Sequence, residues 1–305
     1  MKFPVNFQFA RRVPSGTGTR RFLQIIGVLL VAGTLLACSA IKIAYNQATE
    51  LAYWQLHGYF DFDSTQSPKV REELARVHQW HRQTQLPVYI ETLGKWQALL
   101  PGELDEAQAC GIFDEVRSRL QAISDRAVPA AGAVVGTLGH EQLKALKQKF
   151  SELNADYRSD FLDGKPHALI EKRFKKAVSR AEMLYGRLEE KQQAVLRERI
   201  RHSVFDATIS LAEFQRRQRD ALQSLAPLIA GQASQEKARP AVQAYLERAA
   251  NSPDPAYRRY QERLNRDNCK TFAALHNSTT AAQRTKAVQT LQDYAQDFAI
   301  LAAGH

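Results

Sequence analysis

Three histidines and two aspartates come nearest to a catalytic or metal-binding pattern in this sequence. His78 and His81 are spaced i, i+3, so on a helix both could reach one metal ion. His57, Asp61 and Asp63 precede them, and paired carboxylates could act as general acid and base if one had a raised pKa. Neither HxxxH nor HExxH occurs. Two interpretations of these residues therefore stay open. They could form the site of a metal-dependent or carboxylate-based hydrolase, or the histidines could lie in the core or at an interface while the aspartates form a turn and cap a helix.

The segment around Pro87 combines residue types that are typical of binding surfaces. Trp80, His81, Arg82 and Tyr89 bracket the proline, which should kink or divide its helix because it lacks a backbone N–H. A bent helix that presents an aromatic ring, an imidazole and a guanidinium could line a groove for a partner. The same residues could instead pack a helix crossing, with Arg82 bonded to carbonyl groups that the proline frees. Both interpretations stay open, and the segment is the candidate partner-binding site.

Cys110 and Cys269 lack the neighbours of a catalytic or metal-binding cysteine. The sequence has no CxxC pair, no serine nucleophile elbow and no recognisable Cys–His pairing. The two thiols could form a disulfide that closes a long loop and stabilises the fold, or both could be small buried hydrophobic side chains. We therefore predict no catalytic residue, no metal and no bound cofactor, and the pairing of the cysteines stays open.

The N-terminal region carries the features of an export signal. Five basic residues and no acidic residue accompany an apolar run of 16 residues, Phe22 to Ala37. As a helix this run would span about 24 Å, which is less than the ~30 Å hydrocarbon core of a bilayer. A cleaved signal peptide is therefore favoured over a stable membrane span.

The end of that run, Leu35-Leu36-Ala37-Cys38, resembles the lipobox of bacterial lipoproteins. The resemblance implies a signal peptide over residues 1–37 and a diacylglycerol, and hence palmitate-type chains, on the Cys38 sulfur. Two or three acyl chains hold a protein firmly at a membrane, because each buried CH₂ contributes ~0.8 kcal/mol. Ser39 stands where similar lipoproteins retained at the inner membrane carry aspartate. The resemblance thus implies the periplasmic face of the outer membrane rather than the inner membrane.

Removal of the signal halves the apparent basicity of the chain. The formal net charge of the 305 residues is +10, and five of the 42 Lys and Arg residues lie in residues 1–37. The remaining excess of +5, without a nucleic-acid-binding fingerprint or a glycine-rich phosphate loop, predicts no nucleic-acid partner. Basic clusters such as FQRRQR (214–219) are solvated helix faces or surfaces that attract anionic envelope components.

Apolar residues recur at three- and four-residue steps through the rest of the chain, and no alternating strand pattern is convincing. We predict an all-α protein, an elongated bundle of about nine helices that forms a single periplasmic domain over residues 38–305. Residues 128–139, rich in small residues, would form a loose connector. Breaks are expected near Gly186 and after the helix that Ser67-Pro68 opens, and the last helix should run from about Thr280 to Ala302.

Three predicted helices begin in a similar way. The segment LGHEQLKALKQKFSELNADYRSDF (138–161) aligns with TTAAQRTKAVQTLQDYAQDF (279–298), and a fainter copy begins at LEEKQ (188–192). These starts resemble the LTxxQ segments of the Spy and CpxP periplasmic helical chaperones. A capping box, in which glutamine bonds the backbone of the capping residue, is the competing interpretation.

A second resemblance covers nearly all of the exported part. LLACSAIKIAYN, WQLHGYFDFDSTQ, WHRQTQLPVY, RAEMLYGRLEEKQ and the C-terminal LHNSTTAAQRTKAVQTLQDYAQDF resemble a family of proteobacterial lipoproteins known only as a domain of unknown function. The resemblance implies an all-helical envelope lipoprotein and no catalytic residue. We therefore expect a non-catalytic, lipid-anchored protein that binds an envelope protein or an unfolded client, as a chaperone or a scaffold.

Overall fold

A computed structural model describes residues 41–304. The predicted signal peptide, Cys38 and Ser39 lie outside the described residues. Within the described residues, a helical stretch over residues 41–46 precedes eleven α-helices and one π-helical turn. The α-helices are α1 (Ala48–Phe60), α2 (Gln66–Trp80), α3 (Leu86–Leu99), α4 (Glu106–Val135), α5 (His140–Phe161), α6 (Pro166–Tyr185), α7 (Glu190–Arg201), α8 (Ala207–Ala230), α9 (Gln235–Ala250), α10 (Pro255–Ser278) and α11 (Ala281–Ala302).

The all-α prediction is confirmed, but the number of helices was underestimated. The predicted break near Gly186 is present, and Gly186 has a positive φ of 73° there. A second break at residues 202–206 was missed because it contains neither glycine nor proline. Asp206 ends this break, since its carboxylate accepts the N–H groups of Thr208 and Ile209 at 2.8 and 3.0 Å and caps α8.

Two further boundaries differ from the sequence expectation. Residues 128–135 of the expected connector are helical, so α4 continues through Pro129 to Val135 and only residues 136–139 form a turn. The expectation that Ser67, with its hydroxyl as cap, and Pro68 open a helix is wrong, because α2 begins at Gln66. The Asp63 carboxylate instead accepts the N–H groups of Thr65 and Gln66, at 2.8 and 2.9 Å, and starts α2.

Pro87 is accommodated without a division of the helix. Residues His81–Gln85 form a π-helical turn between α2 and α3, in which the N–H of Leu86 bonds the His81 carbonyl five residues earlier. A π turn of this kind absorbs the hydrogen bond that a proline removes, and such turns recur at functional sites. The chain is therefore helical from Gln66 to Leu99.

The buried apolar side chains of residues 41–304 form three clusters. The largest joins α3, α4, α6, α7, α10 and α11 around residues such as Leu100, Tyr185, Leu196, Leu275 and Leu291. The second lies among α1, α2, α5 and α8, and the third between α4, α8 and α9. Among residues 41–304, no helix has the length and apolar character that a membrane crossing requires.

Candidate functional sites

In the described part of the chain, five helix starts share a capping residue followed three positions later by a glutamine. In each, the glutamine oxygen accepts the backbone N–H of the capping residue at 2.8 to 3.1 Å. The residue before each cap is buried. Three of these starts were expected from the sequence, whereas the one at Asp63 was interpreted as a turn with two carboxylates and the one at Asp105 was not noticed. The pairs are Asp63 and Gln66, Asp105 and Gln108, Gly139 and Gln142, Glu189 and Gln192, and Thr280 and Gln283.

Four of these glutamines form two reciprocal pairs, which we call the first clasp (Gln66 and Gln142) and the second clasp (Gln192 and Gln283), whereas Gln108 bonds only its own capping residue among the described residues. In both clasps, each amide nitrogen donates to the carbonyl two residues before the partner's capping residue. This shared geometry supports the capping-box interpretation and extends it, because each glutamine also ties its helix to another. The bonds run from Gln66 to Thr137 (2.6 Å), Gln142 to Asp61 (3.3 Å), Gln192 to Ser278 (3.2 Å) and Gln283 to Arg187 (2.9 Å).

The second clasp has an additional contact. The Gln192 amide nitrogen lies 2.6 Å from the Gln283 oxygen, and the Gln283 nitrogen lies 2.9 Å from the Gln192 oxygen. Gln192 is fully buried. Because buried polar groups cost free energy unless they are bonded, this pair holds the starts of α7 and α11 in one relative position.

Three of the candidate partner-binding residues lie where the N-terminal helical stretch crosses the π-helical turn and the start of α3. His81 bridges two tyrosines, with Tyr45 Oη 2.9 Å from Nδ1 and Tyr89 Oη 3.1 Å from Nε2. Arg82 does not cap carbonyls but donates to the Asn46 side chain at 2.7 Å. Trp80 faces elsewhere, since the Arg126 guanidinium lies 5.9 Å from the centre of its ring. His81, Arg82 and Tyr89 thus contribute to a helix crossing, and the role of the segment in binding a partner stays a prediction.

Burial controls the protonation of this crossing. Burial lowers the pKa of His81, and the nearby His78 lowers it further. Burial also lowers the pKa of His78, and the positive charge of Arg82 adds to that decrease. Burial also raises the pKa of Tyr45 to about 12, against the opposing effect of Arg82. Neutral imidazole and phenol side chains can therefore bridge the helices without a buried charge.

The other residues of the hydrolase hypothesis lie apart from this crossing. His57 Nε2 is 3.6 Å from an Asp61 carboxylate oxygen at the end of α1. His78 and His81 instead both contact Tyr45. Tyr45 lies twelve residues before His57, which corresponds to about 18 Å along a helix. No group of three or more His, Cys, Asp or Glu side chains in the described part of the chain is placed to hold a metal ion. The histidines and aspartates of the hypothesis therefore lie in two separate places in the described structure, and the hydrolase stays a prediction.

Cys110 of α4 and Cys269 of α10 are joined by a disulfide, with their Cα atoms 5.1 Å apart and 159 positions between them in sequence. The bond lies in the largest apolar cluster. It fixes the N-terminal half of α4 against α10, and it leaves neither thiol available for chemistry.

An apolar groove of about 260 Å³ runs between α3 and α4. The α4 wall is open to solvent, because Val116 is 41% and Leu120 is 61% exposed. Arg119 lies at the groove, and its Nε has no hydrogen-bond partner among the described residues. Sequence analysis missed this feature, since its walls come from separate helices. The lining residues include Tyr89, Leu93 and Trp96 of α3, Val116, Arg119 and Leu120 of α4, and Phe298 of α11.

Comparison with known proteins bears on the family alone. A family of unknown function (DUF6279) matches residues 58–231, which is more than half of the chain. No curated protein and no solved structure matches. The resemblances to lipoproteins and to Spy and CpxP stay predictions. The matched range contains the first clasp, the Pro87 segment and the α4 wall of the groove. Because the match covers more than half of the chain, the protein belongs to this family, DUF6279.

Proposed function

We propose that this protein is a non-catalytic, lipid-anchored helical protein of the bacterial envelope that binds a polypeptide in the groove between α3 and α4. The observation that carries the proposal is the exposed apolar wall of α4. Val116 and Leu120 are spaced i, i+4 and are 41% and 61% exposed, and Phe113, which lies outside the groove lining, continues this apolar row and is 37% exposed. Apolar side chains in such a row on a helix normally pack against another surface.

The groove favours an apolar segment with an acidic group. The polar side chains that line the groove are chiefly Arg119 and Thr92. The Nε of Arg119 lacks a hydrogen-bond partner among the described residues, and Thr92 bonds Glu115 at 3.1 Å. A carboxylate on the bound segment would pair with the guanidinium while apolar side chains fill the remaining volume. Tyr89 connects the groove to the His81 bridge, so the Pro87 segment supports this site from behind.

Attachment to the membrane through Cys38 is supported by the surface that follows the lipobox. Ile43, Leu51 and Trp54 are 62%, 48% and 61% exposed. Leu51 and Trp54 are three positions apart on α1 and so lie about 60° from each other around the helix, and Ile43 lies in the helical stretch that precedes α1. A tryptophan and two aliphatic side chains in this position suit the interface of a bilayer. The periplasmic face of the outer membrane stays the proposed location.

The groove is tested with a photo-cross-linking amino acid at position 120, and the matched control carries it at Ser118, which is exposed on another side of α4. Cross-linking in cells from position 120 to one envelope protein indicates a dedicated partner. Many products, together with suppressed aggregation of a denatured test protein, indicate unfolded clients. If position 120 gives no more product than position 118 and aggregation is not suppressed, the proposal is wrong.

Substitutions distinguish binding in the groove from nonspecific binding to any exposed apolar side chain. Val116→Lys with Leu120→Lys should abolish cross-linking and client protection, whereas Met183→Lys, at an exposed apolar position of α6, should leave both unchanged. The anchor has its own test: Cys38→Ala should abolish acyl labelling, and persistent labelling would contradict lipidation at this residue.

A further inference from the structure

A cleft of about 620 Å³ opens between α8 and the first half of α10. Its walls combine guanidinium groups with an apolar surface, and it is separate from the groove between α3 and α4. The residues that matter here are Ile209, Ala212 and Arg219 of α8, and Tyr257, Arg259 and Arg263 of α10.

The acidic groups of the cleft are already bonded. Burial raises the pKa of the Glu213 carboxyl, but hydrogen bonds from Arg216, Arg217 and Ser252 outweigh it and leave that pKa below 4.5. Asp254 uses its carboxylate to cap α10, where it accepts the Ala256 N–H at 2.8 Å. Neither acidic group is therefore available to neutralise a further arginine.

Three guanidinium groups stay without such a partner. Among residues 41–304, no carboxylate oxygen lies within 4.0 Å of a guanidinium nitrogen of Arg219, Arg259 or Arg263. All three side chains are exposed. Arg259 and Arg263 are also spaced i, i+4 on α10, an arrangement of like charges that destabilises a helix. Two adjacent unpaired arginines that face a cleft indicate a ligand that supplies negative charge.

We propose that this arginine cleft binds a phosphate-bearing ligand through Arg219, Arg259 and Arg263. A guanidinium presents parallel N–H donors that match two phosphate oxygens. Ile209, Ala212 and the Tyr257 ring offer a surface for an organic part of the ligand. The same phosphate chemistry could come from a lipid headgroup or from a free phosphate.

The test uses the full chain in a neutral detergent at about 50 mM salt, because stronger salt screens exposed charges. Calorimetric titrations use inorganic phosphate, the anionic dihexanoyl phosphatidylglycerol and the zwitterionic dihexanoyl phosphatidylcholine. Saturable binding of phosphatidylglycerol at least ten-fold tighter than of inorganic phosphate indicates a lipid headgroup. Similar affinities for both anionic probes indicate a free phosphate. Binding of phosphatidylcholine as tight as that of the anionic probes, or of phosphatidylcholine alone, would overturn the proposal, because unpaired arginines should disfavour a phosphate whose charge choline already neutralises.

The variant Arg259→Gln with Arg263→Gln should weaken binding of the anionic probes at least ten-fold. The charge-matched control is Lys175→Gln with Arg180→Gln, exposed on α6, which should change the affinity less than two-fold. The cleft variant should unfold at the same temperature as the unaltered chain or higher, since it removes a like-charge pair. Equal weakening in both variants, or no saturable binding of either anionic probe, would show that the cleft is not a site.

Discussion

Replacement of Gln192 by methionine is the sharpest test of the second clasp. The change keeps the length of the buried side chain but removes its amide, which takes part in four hydrogen bonds with Glu189, Ser278 and Gln283. Each bond contributes about 1 kcal/mol, and a buried partner left unpaired costs a further desolvation penalty. Water can reach Glu189, which is exposed, so we expect a loss of about 2–4 kcal/mol in the free energy of unfolding.

Urea unfolding followed by circular dichroism measures this loss, and thermal unfolding should show a fall of roughly 4–16 °C. The control is Gln289→Met, because Gln289 is an exposed glutamine of α11 that bonds only Asp293, at 2.8 Å. We expect this control to lie within about 0.5 kcal/mol of the unaltered chain. An equal loss in both variants would mean that the helix surface, and not the clasp, responds to methionine.

A double-mutant cycle isolates the mutual contact. Gln192→Met and Gln283→Met each remove the same two amide–amide bonds, so the double variant should lose about 1–3 kcal/mol less than the sum of the single losses. The corresponding cycle at Gln66 and Gln142 should be closer to additive, since those amides bond backbone carbonyls and not each other. Additivity at the second clasp within 0.5 kcal/mol would refute the reciprocal geometry.

Three other properties of the fold can be tested by substitution. Burial holds the pKa of His276 below 6.5, so the unfolded chain binds a proton that the folded chain does not, and stability falls as pH drops below that value. His276→Gln should reduce this slope by up to about 1.4 kcal/mol per pH unit in urea unfolding between pH 7 and 5. Removal of the disulfide by Cys110→Ser with Cys269→Ser should cost about 2–5 kcal/mol, measured by thermal unfolding. Gly136→Ala would place a Cβ 2.0 Å from a backbone carbonyl oxygen and should cost about 1–3 kcal/mol, whereas Gly94→Ala meets nothing within 4 Å and should stabilise α3.

Local sequence signals predicted the parts of the fold that depend on one helix at a time. The start of α11 at Thr280, the break at Gly186 and the disturbance at Pro87 each follow from the residues at that position. The break at residues 202–206 was missed because its cause is a capping aspartate, Asp206, which looks like any polar residue in a helical pattern. Asp63 was interpreted as half of a carboxylate pair for the same reason.

The sites that combine separate helices were beyond the reach of these signals. His81 looked like a metal ligand beside His78, but its two ring nitrogens face Tyr45 and Tyr89, which come from helices on either side in sequence. Likewise, the sequence identifies FQRRQR (214–219) as basic but does not show which of its arginines are paired with a carboxylate and which are not. Arg216 and Arg217 neutralise the buried Glu213, whereas Arg219 is left for the cleft. Only the pairing of helices decides which arginine is compensated.

The two clasps also show that the folded unit extends beyond the range that the family match covers. Residues 58–231 contain both members of the first clasp but only Gln192 of the second. Its partner Gln283 lies on α11, which also supplies Leu291 and Phe298 to the largest apolar cluster. A disulfide from Cys269 enters the same cluster. The matched region therefore depends on α10 and α11 for its buried hydrogen bonds as well as for its core, so these two helices belong to the same folded unit.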